Sequence, residues 1–254
     1  MLPTLKAAIK RIPLARRTAA LIRRWQGIDI DGLERNRQYD LQTVEVMRRA
    51  LAPDATGVDV GAHSGAILEE IAAAAPCGVH YAFEPIPALA QKLRSNFPHV
   101  RVHECALCDR RGEASFEHVV NDPGYSGLRP RDYDRPDPRI ERIQVATDTL
   151  DNLIPADTPV AFIKIDVEGG EYHVLLGGAE TIQRCRPVIV FEASVRSTGR
   201  YGVSASDLYR LVTERFGMKL STMQRWLAQE ESFTEENFTK NWCHGPEFYF
   251  IAYP

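Results

Sequence analysis

Apolar positions along the chain follow two periods in turn. Leu5, Ile9, Ile12, Ala15, Ala19, Ile22 and Trp25 fall three or four residues apart, the spacing of one helix face, and Pro13 would kink or split that helix. A second helix is expected over residues 39–51, with Asp40 at its N-cap and Pro53 and Gly57 beyond its end. From Gly57 onward short apolar runs alternate with helix-length segments. Residues 57–61, 79–83, 100–103, Val160–Ile165 and 188–191 read as buried strands, and residues 64–75, Pro87–Asn96 and 171–183 as the helices between them. Gly112–Val119 reads as a short extra element, 142–147 as a strand and 148–153 as a helical turn. Ser204, with Asp207 three residues on, marks another helix start, and that helix should run to Phe216. Residues 218–222 and 248–252 are the last strands, expected to pair as an antiparallel hairpin at one sheet edge. This alternation predicts an α/β protein with a mostly parallel sheet.

Residues 121–142 break the pattern. They hold Pro123, Pro130, Pro136 and Pro138, two glycines and many Arg and Asp. So long an irregular segment in a compact domain is usually functional or disordered. It reads as a lid or substrate loop, or as a disordered insert. The expected organisation is a basic helical arm over residues 1–37 and one domain over residues 38–254 that carries this loop.

At 44% apolar and 26% charged residues, the composition excludes a disordered, collagen-like or disulfide-rich chain. No apolar run reaches the ~18 residues of a membrane span. A net charge of −3 argues against nucleic acid as a partner. Residues 1–28 carry seven Lys and Arg and no acid, leaving −10 for the remainder. That basic face suits a helix lying on an anionic membrane surface, at about 1 kcal/mol per basic residue near it. It also suits a cap packed on the domain or on a second copy of the chain as a homodimer contact. The alanine-rich apolar face offers little area and favours the packed cap; a transit peptide fits less well. An odd count of five cysteines, with no secretory-signal pattern, indicates reduced thiols and a cytoplasmic protein, with peripheral membrane contact as the variant.

Ligands of open α/β sheets bind beyond the carboxyl ends of the strands. The first such end here is Val58-Asp59-Val60-Gly61-Ala62-His63-Ser64-Gly65. Gly61 permits a tight turn, Gly65 close helix packing, and the next helix offers free N–H groups. Ala62 and His63 stand where a pyrophosphate would want bare glycine backbone, so a nucleoside without pyrophosphate is favoured over NAD. The second strand ends in Phe83-Glu84-Pro85, and an acid about twenty residues past the glycines suits a ribose diol.

Taken together these blocks resemble the FkbM family of S-adenosylmethionine-dependent methyltransferases. The turn 58–65 is similar to that family's Asp-Val-Gly-Ala-Asn-x-Gly, with His63 at the Asn position, and Phe83-Glu84-Pro85-Ile86-Pro87 to its Phe-Glu-Pro-Asn-Pro. Ala106-Leu107-Cys108-Asp109 matches Ala-Leu-Ser-Asp. The most specific block is Ile163-Lys164-Ile165-Asp166-Val167-Glu168-Gly169-Gly170-Glu171. Thr149-Leu150-Asp151 and Ser126-Gly127 add weaker matches. The resemblance implies a seven-stranded methyltransferase sheet and O-methylation of a sugar, glycolipid or other natural-product hydroxyl. It implies that Asp59, Gly61, Ala62, His63 and Ser64 face the methionine part of the cofactor, that Glu84 with Pro85 holds the ribose, and that Cys105 and Ala106 border the adenine.

The cofactor's sulfonium is a strong electrophile, so the enzyme's main task is to align an acceptor oxygen with it, worth ~7–11 kcal/mol of the barrier. A sugar hydroxyl must also lose its proton. Asp166 and Glu168 follow the fourth core strand, and either carboxylate could serve as general base if burial raises its pKa. Asp166 and Glu192, on neighbouring strand tips, could hold one Mg²⁺ that polarises the acceptor oxygen; otherwise the acids bond to backbone or to Lys164. His173, about one helical turn after Glu168, is a third catalytic candidate or a structural histidine. Cys105 and Cys108 have zinc-like spacing without a second pair, which favours core thiols. Two other function classes remain open: a cofactor-binding scaffold without turnover, and an NAD-dependent oxidoreductase.

Overall fold

In a computed structural model of the chain, residues 30–131, 133, 137–245 and 247–254 are described, with side chains from residue 34 on. The basic helix expected before residue 29 lies outside them. The chain divides into two compact units, residues 1–42 and 43–254. Helix α1 (Ile30–Ala50) begins well before the expected start, so Asp40 sits inside the helix and is not its cap. In the larger unit its last turns bury Val46 and Met47.

The larger unit is built on a seven-stranded sheet. Its strands are β1 (Thr56–Val60), β2 (Tyr81–Phe83), β3 (Arg101–His103), β7 (Val160–Ile165), β8 (Val188–Glu192), β9 (Lys219–Thr222) and β10 (Tyr249–Tyr253). They lie in the order β3-β2-β1-β7-β8-β10-β9, with β10 antiparallel to both neighbours and the other strands parallel. The central parallel strands β1, β2 and β7 are almost wholly buried runs, as a sheet covered on both faces requires. The last two strands do pair antiparallel, but not as a simple hairpin. Two helices intervene, α8 (Met223–Leu227) and α9 (Glu235–His244), and β10 inserts between β8 and β9. The Thr234 side chain caps α9 by accepting the Asn237 N–H, and Phe238 and Trp242 one turn apart pack inward; Phe238 meets Phe250 edge to face. That cap and spacing were the available signal for α9.

Helices α2 (Ala66–Ala74) and α3 (Pro87–Asn96) follow β1 and β2. The helix expected over 171–183 is two helices, α5 (Glu171–Gly177) and α6 (Ala179–Cys185). The break falls where another element crowds the backbone: a Cβ at Gly177 would collide with the Cys108 carbonyl. Asp151, in the short helix α4 (Leu150–Leu153), caps α6 by accepting the Glu180 and Thr181 N–H groups at 3.0 and 2.8 Å. Ser204 and Asp207 form the expected capping box of α7 (Ala205–Arg210), which widens into a π turn at Leu211–Arg215.

A second, three-stranded sheet joins β4 (Ala106–Leu107), β6 (Ile140–Asp148) and β5 (Gly112–Val119) in the order β4-β6-β5. The segment expected to be wholly irregular therefore ends in strand from Ile140. Its first half is pinned: Pro123–Tyr125 forms a 3-10 turn, Glu117 and Gly127 exchange backbone hydrogen bonds, and Ser126 Oγ accepts the Val119 N–H.

Candidate active site

The site is assembled at the carboxyl tips of β1, β2, β7 and β8. The Gly61 and Ala62 N–H groups both donate to the Phe83 carbonyl, at 2.9 and 3.1 Å, tying the first turn to β2. Gly61 has φ +78°, and a Cβ there would collide with the Asp166 carbonyl oxygen, so glycine is what lets the β1 and β7 tips approach. His63 also lies in the left-handed region, at φ +47°. Asn and His tolerate that region better than most residues, which accounts for His at an Asn position.

The His63 N–H donates to Glu84 Oε2 at 2.8 Å, and the Ile86 N–H to Oε1 at 2.9 Å. Glu84 is 4% exposed, and burial raises its pKa against those two hydrogen bonds. Each of its oxygens keeps a further lone pair for a ligand. Pro85 is partly buried in the turn beyond, and Ser64 is exposed. Cys105 and Ala106 are buried beside this edge; burial pushes the Cys105 thiol up to about 12, so it stays protonated.

Asp59 is completely buried, and no side chain donates a hydrogen bond to its carboxylate. Burial pushes its pKa up to about 6, with the Lys164 ammonium opposing and the Asp166 charge adding. Register explains the grouping: Asp59 pairs with Lys164 across β1 and β7. Lys164 Nζ lies 3.1 Å from Asp166 Oδ2, and the Tyr249 hydroxyl donates to that same oxygen at 2.7 Å. Burial disfavours both charges, yet the pair prevails: Asp166 is held below the usual carboxylate range by Lys164 and Tyr249, and Lys164 above its usual value by Asp166 and Asp59. This corrects the expectation of a base activated by burial. Asp166 stays ionised because its partners outweigh desolvation. Burial, then the charges of Asp166 and Glu192, hold Tyr249 well above its usual pKa, so its hydroxyl remains a donor.

Glu192 ends β8 directly opposite Tyr249. Burial, then the charges of Asp166 and Glu171, raise its pKa well above normal. The magnesium expectation for Asp166 and Glu192 finds no support. Among the described residues no group of three or more His, Cys, Asp and Glu side chains is placed to hold a metal. The Lys164 ammonium, 3.1 Å from Asp166 Oδ2, already supplies positive charge at this carboxylate. Cys105 and Cys108 are free thiols, and Cys108 Sγ donates to the Arg110 carbonyl.

Glu168 has φ +59° on a turn braced from within. Buried Glu171 Oε1 accepts the Val167 and Gly169 N–H groups on either side, at 3.0 and 3.1 Å. Burial pushes the Glu171 pKa up to about 7. The Glu168 carboxylate pairs with Arg131, not with Lys164. His173 does not join these carboxylates. Its ring packs against Tyr172 and Tyr201, with Nδ1 buried and unpartnered, and burial lowers its pKa.

The methyltransferase FkbM domain matches residues 59–220 of the sequence, well over half of it. The chain belongs to the FkbM methyltransferase family. Counting only strands of the large sheet, its order reads 3-2-1-4-5-7-6, the S-adenosylmethionine-dependent methyltransferase fold, with the seventh strand antiparallel. No curated protein matches the sequence. Among solved structures, an FkbM methyltransferase from Methylobacillus flagellatus is 16% identical with a TM-score of 0.48, and the match covers 80% of this chain. It covers 44% of that protein's own length. A TehB-like S-adenosylmethionine-dependent methyltransferase from Corynebacterium glutamicum is 15% identical, covers 97% of each chain and has a TM-score of 0.38. Tyr249 and the rest of β10 lie beyond the matched FkbM residues. Sequence reasoning missed Tyr249, Arg131 and Tyr201; the only signal was Arg131's place in the loop already singled out.

Proposed function

We propose that this FkbM protein transfers the methyl group of S-adenosylmethionine to a hydroxyl of a sugar, glycolipid or glycosylated natural product. The observation that carries the reading is the single hydrogen bond from His63 N–H to Glu84 Oε2. It locks the glycine turn to the acid at the β2 tip, with Asp166 one strand away on the other side. The remaining lone pairs of Glu84 fit a ribose diol, and Asp59, buried opposite Lys164, fixes the charge balance behind the turn that would face the methionine part. When bound, the cofactor supplies an electrophilic methyl on a sulfonium.

The chain's own residues do the rest. Asp166 Oδ2 is engaged by Lys164 and Tyr249, which leaves Oδ1 to accept the acceptor's hydroxyl hydrogen. An ionised carboxylate of low pKa is a weak base, adequate where the electrophile is strong and the proton leaves as the new O–C bond forms. Glu168, paired with Arg131, and His173, packed against Tyr172 and Tyr201, take no part in this step. Isothermal titration with S-adenosylhomocysteine, followed by transfer of labelled methyl to sugar and glycolipid hydroxyls, tests the reading. Micromolar binding and a labelled hydroxyl are expected. Absence of binding defeats the proposal, and binding without transfer to any such acceptor points to a scaffold.

A further inference from the structure

Two arginines of the segment between β5 and β6 reach the mouth of this site. Arg131 pairs with Glu168, and its guanidinium lies over the Tyr125 ring, 4.7 Å from the centroid. Arg129 lies over Tyr201 at the same distance, 4.7 Å, and donates one hydrogen bond to the Arg200 carbonyl at 3.0 Å. Their balance of charge differs. Glu168 neutralises Arg131, whereas no carboxylate pairs with Arg129 among the described residues. Arg131 Nε is also buried without an acceptor. Guanidinium has five N–H donors in a fixed plane, and stacking on an aromatic ring holds that plane in place before any ligand arrives. Glu168 follows Asp166 by two residues, and the Tyr201 ring under Arg129 packs against Gly169 and Gly170 of the same turn. Both cations thus sit over the turn that leaves the β7 tip at Asp166.

We propose that Arg129, with the unspent donors of Arg131, binds an anionic group on the methyl acceptor, a carboxylate or a phosphate. The role as acceptor site rests on the methyltransferase reading above; the anion site itself does not. The Glu168 carboxylate already seated on Arg131 shows which chemistry that guanidinium takes, and Arg129 has a donor face that a second anion would fill in bidentate fashion.

Titration of D-glucuronate, glucose 6-phosphate and glucose, each into the free protein and into protein saturated with S-adenosylhomocysteine, tests this. At least one anionic sugar should bind, and glucose much more weakly. Binding of glucuronate alone selects a carboxylate, and binding of glucose 6-phosphate alone a phosphate. Arg129→Ala should weaken anion binding by about 10-fold or more, the loss of one charge-assisted contact. Affinity for S-adenosylhomocysteine should stay unchanged, since Arg129 is exposed and outside the cofactor turn. Equal binding of glucose and the anions, no binding of either anion, or an Arg129→Ala protein that binds anions normally would each overturn the proposal. If S-adenosylhomocysteine fails to bind, the methyltransferase reading falls, while the anion titrations of the free protein still decide this one.

Discussion

Tyr249 donates a 2.7 Å hydrogen bond to Asp166 from 83 residues further along the chain. β10 runs antiparallel beside β8, so its first residue arrives at the carboxyl tips where the parallel strands end. The carboxylate at the β7 tip is thereby gripped from two strands, by Lys164 two residues before it and by Tyr249.

Removing that donor should show directly in the titration of Asp166. Tyr249→Phe deletes a hydrogen bond to the charged form, worth ~1.5–3 kcal/mol, so the Asp166 pKa should rise by roughly 1–2 units. Carbon-13 carboxyl titration would read the shift, and an unchanged or lower value would refute the grip described here. Asp166→Ala should abolish methyl transfer while S-adenosylhomocysteine affinity stays within a few-fold.

Glu84→Ala should weaken S-adenosylhomocysteine binding by about 10- to 150-fold, the equivalent of one or two charge-assisted bonds. The same change strands the His63 and Ile86 N–H groups, so the variant should also melt earlier. Glu84→Gln separates the effects: its amide keeps one acceptor oxygen and places an NH₂ where the ribose expects an acceptor. Calorimetry showing full affinity in both variants would move the ribose site elsewhere.

Gly61→Ala should destabilise the fold by about 3 kcal/mol, lowering Tm by roughly 6–12 °C. The substitution combines a left-handed backbone with a methyl aimed at the Asp166 carbonyl. A melting curve that matches wild type would show that the β1 and β7 tips part without cost.

Glu171 carries a sign that can be checked. Its folded pKa is raised from 4.5 to about 7 by burial. A raised acid contributes its stability fully below the unfolded pKa and loses it as pH rises through the folded value. Wild type should therefore lose ground to Glu171→Gln as pH climbs from about 4.5 to about 7, by of order 2–4 kcal/mol in all. The amide oxygen of the variant would still accept the two turn N–H groups that Glu171 Oε1 accepts. The stability difference between the two proteins, followed by thermal melts across that range, should move steadily in favour of the variant; movement the other way is the contrary result.

Much of the fold was legible because parallel strands buried on both faces must be nearly continuous apolar runs. Val160–Ile165 and residues 57–61 announce themselves this way, and the glycines and acids that follow them mark the strand tips. Local chemistry also determined the Ser204 cap and the acid at Glu84, since each depends on neighbours a few residues away. The sequence hid what depends on strand order. Nothing local says that β10 slips between β8 and β9, so Tyr249 gave no sign of meeting Asp166. Gly177 and Gly178 could not announce a broken helix, because the obstacles are distant in sequence: the Cys108 carbonyl just past β4 and the Leu150 side chain. The charge state of Asp166 was hidden for a related reason. Burial of a carboxylate can be guessed from a pattern, but whether an ammonium and a hydroxyl stand within 3.1 Å to outweigh it is decided only when the strands that carry them are brought side by side.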